Sequence, residues 1–251
     1  MDERIYRQMY EIEERHWWFV SRRMIVEALL QPFADRLGAG ARILDAGCGT
    51  GGNLRLLAQL GPDVVGMEPE PAAAEMARRR TGLPVFPGRL PDDIPFPEEY
   101  FDLILLLDVL EHVDDDTGAV RALALRLKPG GHLLLTIPAY GFLWSAHDEV
   151  HHHRRRYVLR EIVGQLRNSG LTVKRASYFN CLLFPPIALL RLLKSRIKGW
   201  RNRDDLAMPP SALNRILATV MSSERYLLKY CNLPFGVSII ALAQKLPGTP
   251  R

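Results

Sequence analysis

The chain concentrates its reactive residue types in three places, and the sharpest of them is a turn. In Ile43-Leu44-Asp45-Ala46-Gly47-Cys48-Gly49-Thr50-Gly51-Gly52, a carboxylate stands two residues ahead of a run of glycines. Glycine permits left-handed backbone angles and lets a ligand approach the main chain where any Cβ would obstruct it. A helix opening after the turn adds N–H groups and partial positive charge. Gly47, Gly49 and Gly52 also satisfy G-x-G-x-x-G, a pattern used by dinucleotide enzymes. Asp45 points to another guest, because a carboxylate at a strand end suits a cationic ammonium or sulfonium better than a pyrophosphate. Glu68 follows at a distance that lets it take both hydroxyls of a ribose, a role that NAD enzymes share.

The second place is Asp108-Val109-Leu110-Glu111-His112, which closes an apolar run begun at Phe101-Asp102 and is followed by Leu127-Lys128-Pro129-Gly130-Gly131. The third is the His/Arg-rich segment 144–157, Trp144 to Tyr157. If it is helical, His147 and His151 share one face, as a metal pair would. With no cysteine nearby and no H-E-x-x-H, no metal is assigned.

These groups need a frame, and the hydrophobic pattern supplies one. Residues 4–15 read as a helix, the aromatic cluster His16-Trp17-Trp18-Phe19 follows, and a second helix is expected from about Ser21 to Leu37. Strands are expected at Ala41–Ala46, Asp63–Glu68, Pro84–Pro87, Phe101–Val109 and His132–Pro138, alternating with helices at Asn53–Leu60, Pro71–Arg80 and Asp116–Leu127. Lys128 to Gly131 reads as a turn. A helix at Leu159–Ser169, a strand at Leu171–Tyr178, a helical insertion over about 181–231 and a strand at Gly236–Gln244 complete the chain. Such alternation implies right-handed βαβ units and a mostly parallel sheet with helices on both faces.

With 47% apolar and 24% charged residues, the 251-residue chain can bury a full α/β core. The net charge of +5 is unevenly spread. Residues 1–140 carry 15 Lys+Arg and 22 Asp+Glu, whereas residues 141–251 carry 18 and 6. The basic part could attract an anionic acceptor or membrane surface. Leu182 to Arg203 combines an apolar run with Arg191, Lys194, Arg196, Lys198, Arg201 and Arg203, the composition of an interfacial helix with a basic rim. Nucleic acid is not an expected partner, since no recognisable binding module accompanies the charge. Cys48, Cys181 and Cys231 show no pairing pattern, and no stretch reaches the ~20 apolar residues of a membrane span. A cytoplasmic location is expected, with peripheral contact at the inner face of a membrane.

From about Arg42 to Pro138, some two-fifths of its length, the chain resembles the class I S-adenosylmethionine (SAM)-dependent methyltransferases. The similarity is to the type 11/type 12 group that includes ubiquinone-biosynthesis enzymes. LDAGCGTG, the acid ending the second strand, FDLILLLDVLEHV and LKPGG carry it, in order and at compatible spacings. The resemblance implies one Rossmann-like unit over 1–251 with a mostly parallel seven-stranded sheet. Residues 1–40 would be a helical lid, 41–140 the SAM-binding core, and 141–251 an acceptor-side region with the insertion before the last strand.

It also implies roles. Asp45, Gly47, Cys48 and Gly49 line the methionine end of SAM, or of its product S-adenosylhomocysteine (SAH). Glu68 takes the ribose, and Pro69, Arg89 and Leu90 border the adenine. Many relatives carry an acid near Arg89 for the adenine amino group, so backbone groups or Asp92 must substitute here. Asp108, Val109 and Leu110 close the pocket, Trp18 covers the cofactor, and Arg22 holds its carboxylate. The acceptor is a small or lipid-like molecule methylated on oxygen. Because a hydroxyl needs a base or a metal to gain nucleophilicity, His112, His147, Asp148 and His151 are the candidate catalytic residues, with Arg154 to Arg156 as partners for an anionic acceptor group. In quinone-related members an acid–His stretch borders the acceptor and can hold a divalent ion; Asp108, Glu111 and His112 match it. Two other readings stay open: a non-catalytic SAM-fold module binding a membrane surface or partner, and an NAD(P)-dependent oxidoreductase.

Overall fold

The computed structural model describes residues 3–34, 37, 40–61, 63–196 and 207–246. Lys198, Arg201 and Arg203 of the expected basic rim lie outside the described residues. The chain opens with α1 (Glu3–Ile12) and α2 (Trp17–Ala34). The aromatic cluster thus forms the first turn of α2 instead of preceding it. Packing explains the earlier start: the Trp18 ring stacks on Phe179, centroids 5.9 Å apart, and Phe19 is buried against Ile12.

The alternating core follows as β1 (Arg42–Ala46), α3 (Leu54–Leu57), β2 (Asp63–Met67), α4 (Pro71–Thr81), β3 (Val85–Phe86), β4 (Phe101–Leu107), α5 (Asp116–Arg126) and β5 (Leu127–Pro138). Helix α3 is a single turn where eight residues were expected. Leu54 and Leu57 are buried but Ala58 and Gln59 are exposed, so no apolar face holds a longer helix together. The expected Lys128–Gly131 turn lies inside β5 as a bulge: Leu127 pairs with Phe101 and His132 with Leu103, while Gly130 takes a left-handed φ of 84° to absorb the extra residues. The His/Arg-rich segment contains the short helix α6 (Ala146–Val150). Then come α7 (Leu159–Asn168), β6 (Leu171–Phe179), α8 (Phe184–Arg196), α9 (Ser211–Leu227) and β7 (Ser238–Lys245).

Among the described residues the strands form one seven-stranded sheet in the order β3-β2-β1-β4-β5-β7-β6, with β7 antiparallel to both its neighbours and the other pairings parallel. Side chains on a strand alternate between faces, and β4 uses both. Leu103, Leu105 and Leu107 pack with Ile25 and Leu29 of α2, while Ile104 and Leu106 pack with Val120 and Leu123 of α5 and Ile162 of α7. Each such side chain contributes about 1.5–3 kcal/mol on burial.

Helices α2 and α9, nearly two hundred residues apart in sequence, are stitched together. The Trp17 backbone N–H donates to Asn214 Oδ1 (2.9 Å), Asn214 Nδ2 donates to the Arg15 carbonyl (2.9 Å), and the Ser21 hydroxyl donates to the Ala218 carbonyl (3.0 Å). The sheet order reverses at β1, whose neighbours are β2 and β4, and this opens a crevice at the carboxyl ends of the strands.

Candidate active site

A cavity of about 1060 Å³ occupies that crevice. Small-molecule sites span roughly 300–1,000 Å³, so there is room for more than one small molecule. The glycine turn and N-terminal helices wall one half; the loop after β5, α8 and α9 wall the other.

In the first half, the Gly47 and Cys48 N–H groups donate to the Met67 carbonyl at 2.7 and 3.1 Å, tying the turn to the end of β2. Gly47 has a left-handed φ of 76°, and a Cβ there would lie 2.6 Å from the Val109 side chain. A Cβ on Gly49 would meet nothing within 4 Å, because that face opens onto the cavity. Glu68 is nearly fully buried. Its Oε2 accepts the Gly49 N–H (2.9 Å), and its Oε1 accepts the Glu70 N–H (3.1 Å) and the Tyr6 hydroxyl (3.3 Å). Burial raises the pKa of Glu68, and the backbone donors partly offset it.

Asp45 is buried with no hydrogen-bond partner for either carboxylate oxygen among the described residues. Burial pushes its pKa up to about 7; Arg22 opposes the rise and Glu68 adds to it. It lies outside the cavity wall, as does Leu110, which is fully buried in the core instead of closing the pocket. Trp18, Cys48, Pro69, Arg89, Leu90, Asp92 and Val109 do line the cavity. Arg22 lines it too, but its guanidinium pairs with Asp108 instead of standing free for a cofactor carboxylate. Asp108 itself sits at a φ of 54° and accepts from the Thr136 hydroxyl (3.2 Å).

In the second half, four imidazoles gather. The rings of His147 and His151 are 4.2 Å apart, those of His112 and His153 4.8 Å, and those of His147 and His153 5.7 Å. All four line the cavity. Burial, with His153 and His151 beside it, brings the pKa of His112 down to about 3; burial likewise holds His147 well below its ordinary value. The rings of His112 and His147 are therefore neutral and weakly basic.

Asp148 is fully buried and outside the cavity wall, so the expected catalytic contact is not made. Its carboxylate accepts from Arg156 Nε and Nη2 (2.8 and 3.0 Å) and the Ser145 N–H (2.8 Å), and is 2.9 Å from His153 Nδ1. Burial alone would raise its pKa, but bonds from His153 and Arg156 outweigh that and hold it well below the carboxylate range. The arginines expected to meet an anionic acceptor are committed internally: Arg154 to Asp114, Arg155 to Asp116 and Arg156 to Asp148. Among the described residues, Glu111, His112 and His153 can each offer a donor atom to a cation, all within 4.8 Å of one another.

Tyr6 and Glu13 also line the cavity although their spacing gave no sign of it, while His153 falls in the His/Arg-rich segment without having been singled out there. Tyr6 reaches Glu68 across 62 residues, and Glu13 takes the Thr50 hydroxyl beside the glycine turn. Such contacts come from how α1 docks, which local pattern does not encode. Leu183, Ile187 and Leu217 of the insertion also line the cavity.

A family model described as a methyltransferase domain matches residues 16–176, which include the glycine turn, Glu68, Asp108 and the histidine segment. The chain belongs to this methyltransferase family. The ubiquinone biosynthesis O-methyltransferase of Xanthomonas axonopodis pv. citri is 31% identical over 200 residues, 72% of this chain and 74% of the relative. The demethylmenaquinone methyltransferase of Tropheryma whipplei is 37% identical over 99 residues, 39% of this chain and 41% of the relative. A methyltransferase solved in complex with the Haloferax volcanii Trm112 activator superposes with a TM-score of 0.61 at 19% identity, over 99% of this chain and 96% of that one.

This methyltransferase is SAM-dependent, which sets aside the NAD(P) oxidoreductase and the non-catalytic module. Its own residues fit the cofactor. The open face at Gly49 is a cradle a side chain would fill, and Glu68 is held in place by backbone donors. The unpartnered Asp45 carboxylate is what a nearby cation would satisfy.

Proposed function

We propose that the enzyme methylates an oxygen of a lipid-like small molecule whose polar head meets the histidines and whose apolar tail leaves along α8 and α9. The observation that carries this reading is the acceptor-side wall. Leu190 and Leu213 line the cavity and are 50% and 46% exposed, so the wall there carries apolar side chains that also meet solvent. The choice of oxygen is supported by the relative named as an O-methyltransferase of ubiquinone biosynthesis.

When bound, SAM supplies an electrophilic methyl carbon on a sulfonium. Glu68 would hold the ribose, Asp45 would favour the cationic end by its charge from behind the cavity wall, and Trp18 would exclude water. His112, His147 and His151 would orient the acceptor hydroxyl by hydrogen bonds, while its proton leaves to water as the oxygen–methyl bond forms and the methyl–sulfur bond breaks to release SAH; alignment accounts for much of such an acceleration. Lid (1–40), core (41–140) and acceptor side (141–251) work as one unit.

The acceptor reaches the enzyme from the inner face of a membrane. Leu189, Leu192 and Leu193 of α8 stand exposed beside the cavity mouth, and among the described residues no helix is long and apolar enough to cross a bilayer. The test is transfer of labelled methyl from SAM to three acceptors: a prenylated catechol, a water-soluble catechol and a primary amine. A methyl ether formed fastest on the prenylated compound is expected. Transfer confined to the amine would end the proposal.

A further inference from the structure

We infer that Asn180, which follows the carboxyl end of β6, determines acceptor specificity: its carboxamide grips two neighbouring oxygens on a neutral acceptor head, accepting from a hydroxyl and donating to the oxygen beside it. This role deepens the proposed methyl transfer and rests on the acceptor lying in the half of the cavity walled by α8 and α9.

An unmet pair of hydrogen bonds gives the first reason. Asn180 is fully buried and lines the cavity, yet neither Oδ1 nor Nδ2 has a hydrogen-bond partner among the described residues. A carboxamide carries two donor hydrogens and two acceptor lone pairs. Leaving both ends unmet costs free energy that a polar guest in the cavity recovers. Leu183 and Val237 also line the cavity, and the Val237 N–H donates to the Asn180 carbonyl (3.3 Å). Both are apolar, so Asn180 supplies a polar group among them.

The backbone gives the second reason. Asn180 sits at a left-handed φ of 57°. Asparagine tolerates that angle, but glycine adopts it more readily and would bury no amide. The angle alone therefore does not account for the carboxamide.

The third reason is how firmly the residue is held. Glu224 of α9 is fully buried, and its Oε1 accepts the Leu182 N–H (2.8 Å). The Asn180 and Cys181 backbones bond the same carboxylate. On the other side, a Cβ on Gly236 would collide with the Phe179 carbonyl, so the segment entering β7 lies tight against the residue before Asn180. A recognition group fixed in this way loses little freedom on binding.

The chemistry of the guest follows. Oδ1 and Nδ2 share one carbon, so the oxygens they meet must stand on adjacent atoms. The amide carries no charge, and Arg154, Arg155 and Arg156 are already paired with Asp114, Asp116 and Asp148, so a neutral head fits better than an anionic one. A ring hydroxyl beside a second oxygen meets both ends at once. A head with a single oxygen leaves one end unmet, and sites built to bond a hydroxyl reject analogues that lack it.

The experiment uses the full chain saturated with SAH. Calorimetry measures binding of a prenylated catechol and a prenylated phenol, and initial rates of labelled methyl transfer from SAM are taken alongside. The wild type should bind the catechol about 10–100-fold more tightly. Asn180→Gly keeps the left-handed angle and removes the amide. It should bring the two affinities together, raising KM for the catechol more than it lowers kcat, with SAH affinity unchanged. Thermal melts report whether the variant folds. Asn180→Asp, which keeps the shape and loses the donor, stands in if it does not, and the wild-type comparison needs no variant. The inference is overturned if the wild type does not distinguish the two compounds. It is overturned equally if Asn180→Gly keeps the wild-type preference, the result for a residue held only for its angle, or if SAH affinity falls as far as catechol affinity, which assigns Asn180 to the cofactor. A catechol bound through Asn180 but never methylated removes the proposed function and leaves this role standing; a methyl ether formed with no dependence on Asn180 does the reverse.

Discussion

The role proposed for Asp45 ties a single carboxyl group to the pH dependence of cofactor binding. Its pKa is about 7 in the ligand-free fold against 3.8 for the free group. Between those values the folded chain holds a proton that the unfolded chain has released. This group's share of stability is therefore complete below about 3.8 and is lost as pH rises through 7. A cationic ligand reverses the preference by selecting the ionised form. SAH affinity should then fall by up to about tenfold per pH unit below pH ~7, with a proton taken up by buffer on binding. Calorimetry in buffers of different ionisation enthalpy reads both effects. In Asp45→Asn the profile should be flat, and an unchanged slope there would falsify the role given to this acid. Glu68→Gln leaves the Gly49 and Glu70 N–H groups a weaker acceptor; with charged hydrogen bonds contributing about 1.5–3 kcal/mol, SAH affinity should drop roughly 10–100-fold by the same calorimetry. Glu68 and the glycine turn were legible in the sequence because strand, acid and glycine are local. Asp148 was misread because its partners, Arg156 and His153, are chosen by side-chain direction. A run of His and Arg looks the same in sequence whether it faces a ligand or its own carboxylates.

At the scale of elements, the strand-to-helix corner carries two glycines with different duties. Gly47→Ala meets both a left-handed φ and the Val109 methyls. It should destabilise the fold by about 2–4 kcal/mol, seen as a drop in Tm. Gly49→Ala meets only the φ cost of about 1–2 kcal/mol, since the added methyl faces open cavity. It should keep most of the Tm and lose most of the SAH affinity. Equal effects of the two substitutions on Tm and affinity would contradict this division. The strands were nearly all readable, because most of β4 and the second half of β5 are apolar runs covered on both faces. The helix starts were not: α2 begins at Trp17 because its aromatic rings find Phe179, a partner over 150 residues away. Nothing in the local spacing announces that partner.

At the scale of the molecule, residues 1–140 carry an excess of acidic groups and residues 141–251 an excess of basic ones, and within the latter α8 exposes Leu189, Leu190, Leu192 and Leu193. Leu189→Glu combined with Leu193→Glu alters exposed positions outside the cavity wall. It should abolish sedimentation with anionic vesicles and slow methylation of a prenylated acceptor about tenfold or more, loss of apolar burial being roughly 1.5–3 kcal/mol per leucine. Methylation of a water-soluble acceptor should be unaffected. The bonds that join Trp17 and Ser21 to Asn214 and Ala218 add a kinetic consequence. Both helices line the cavity, and these bonds couple them, so a movement of one should carry the other. An acceptor analogue lodged under α9 should trap spent nucleoside behind it, and SAH dissociation timed by stopped-flow should slow in step with analogue occupancy.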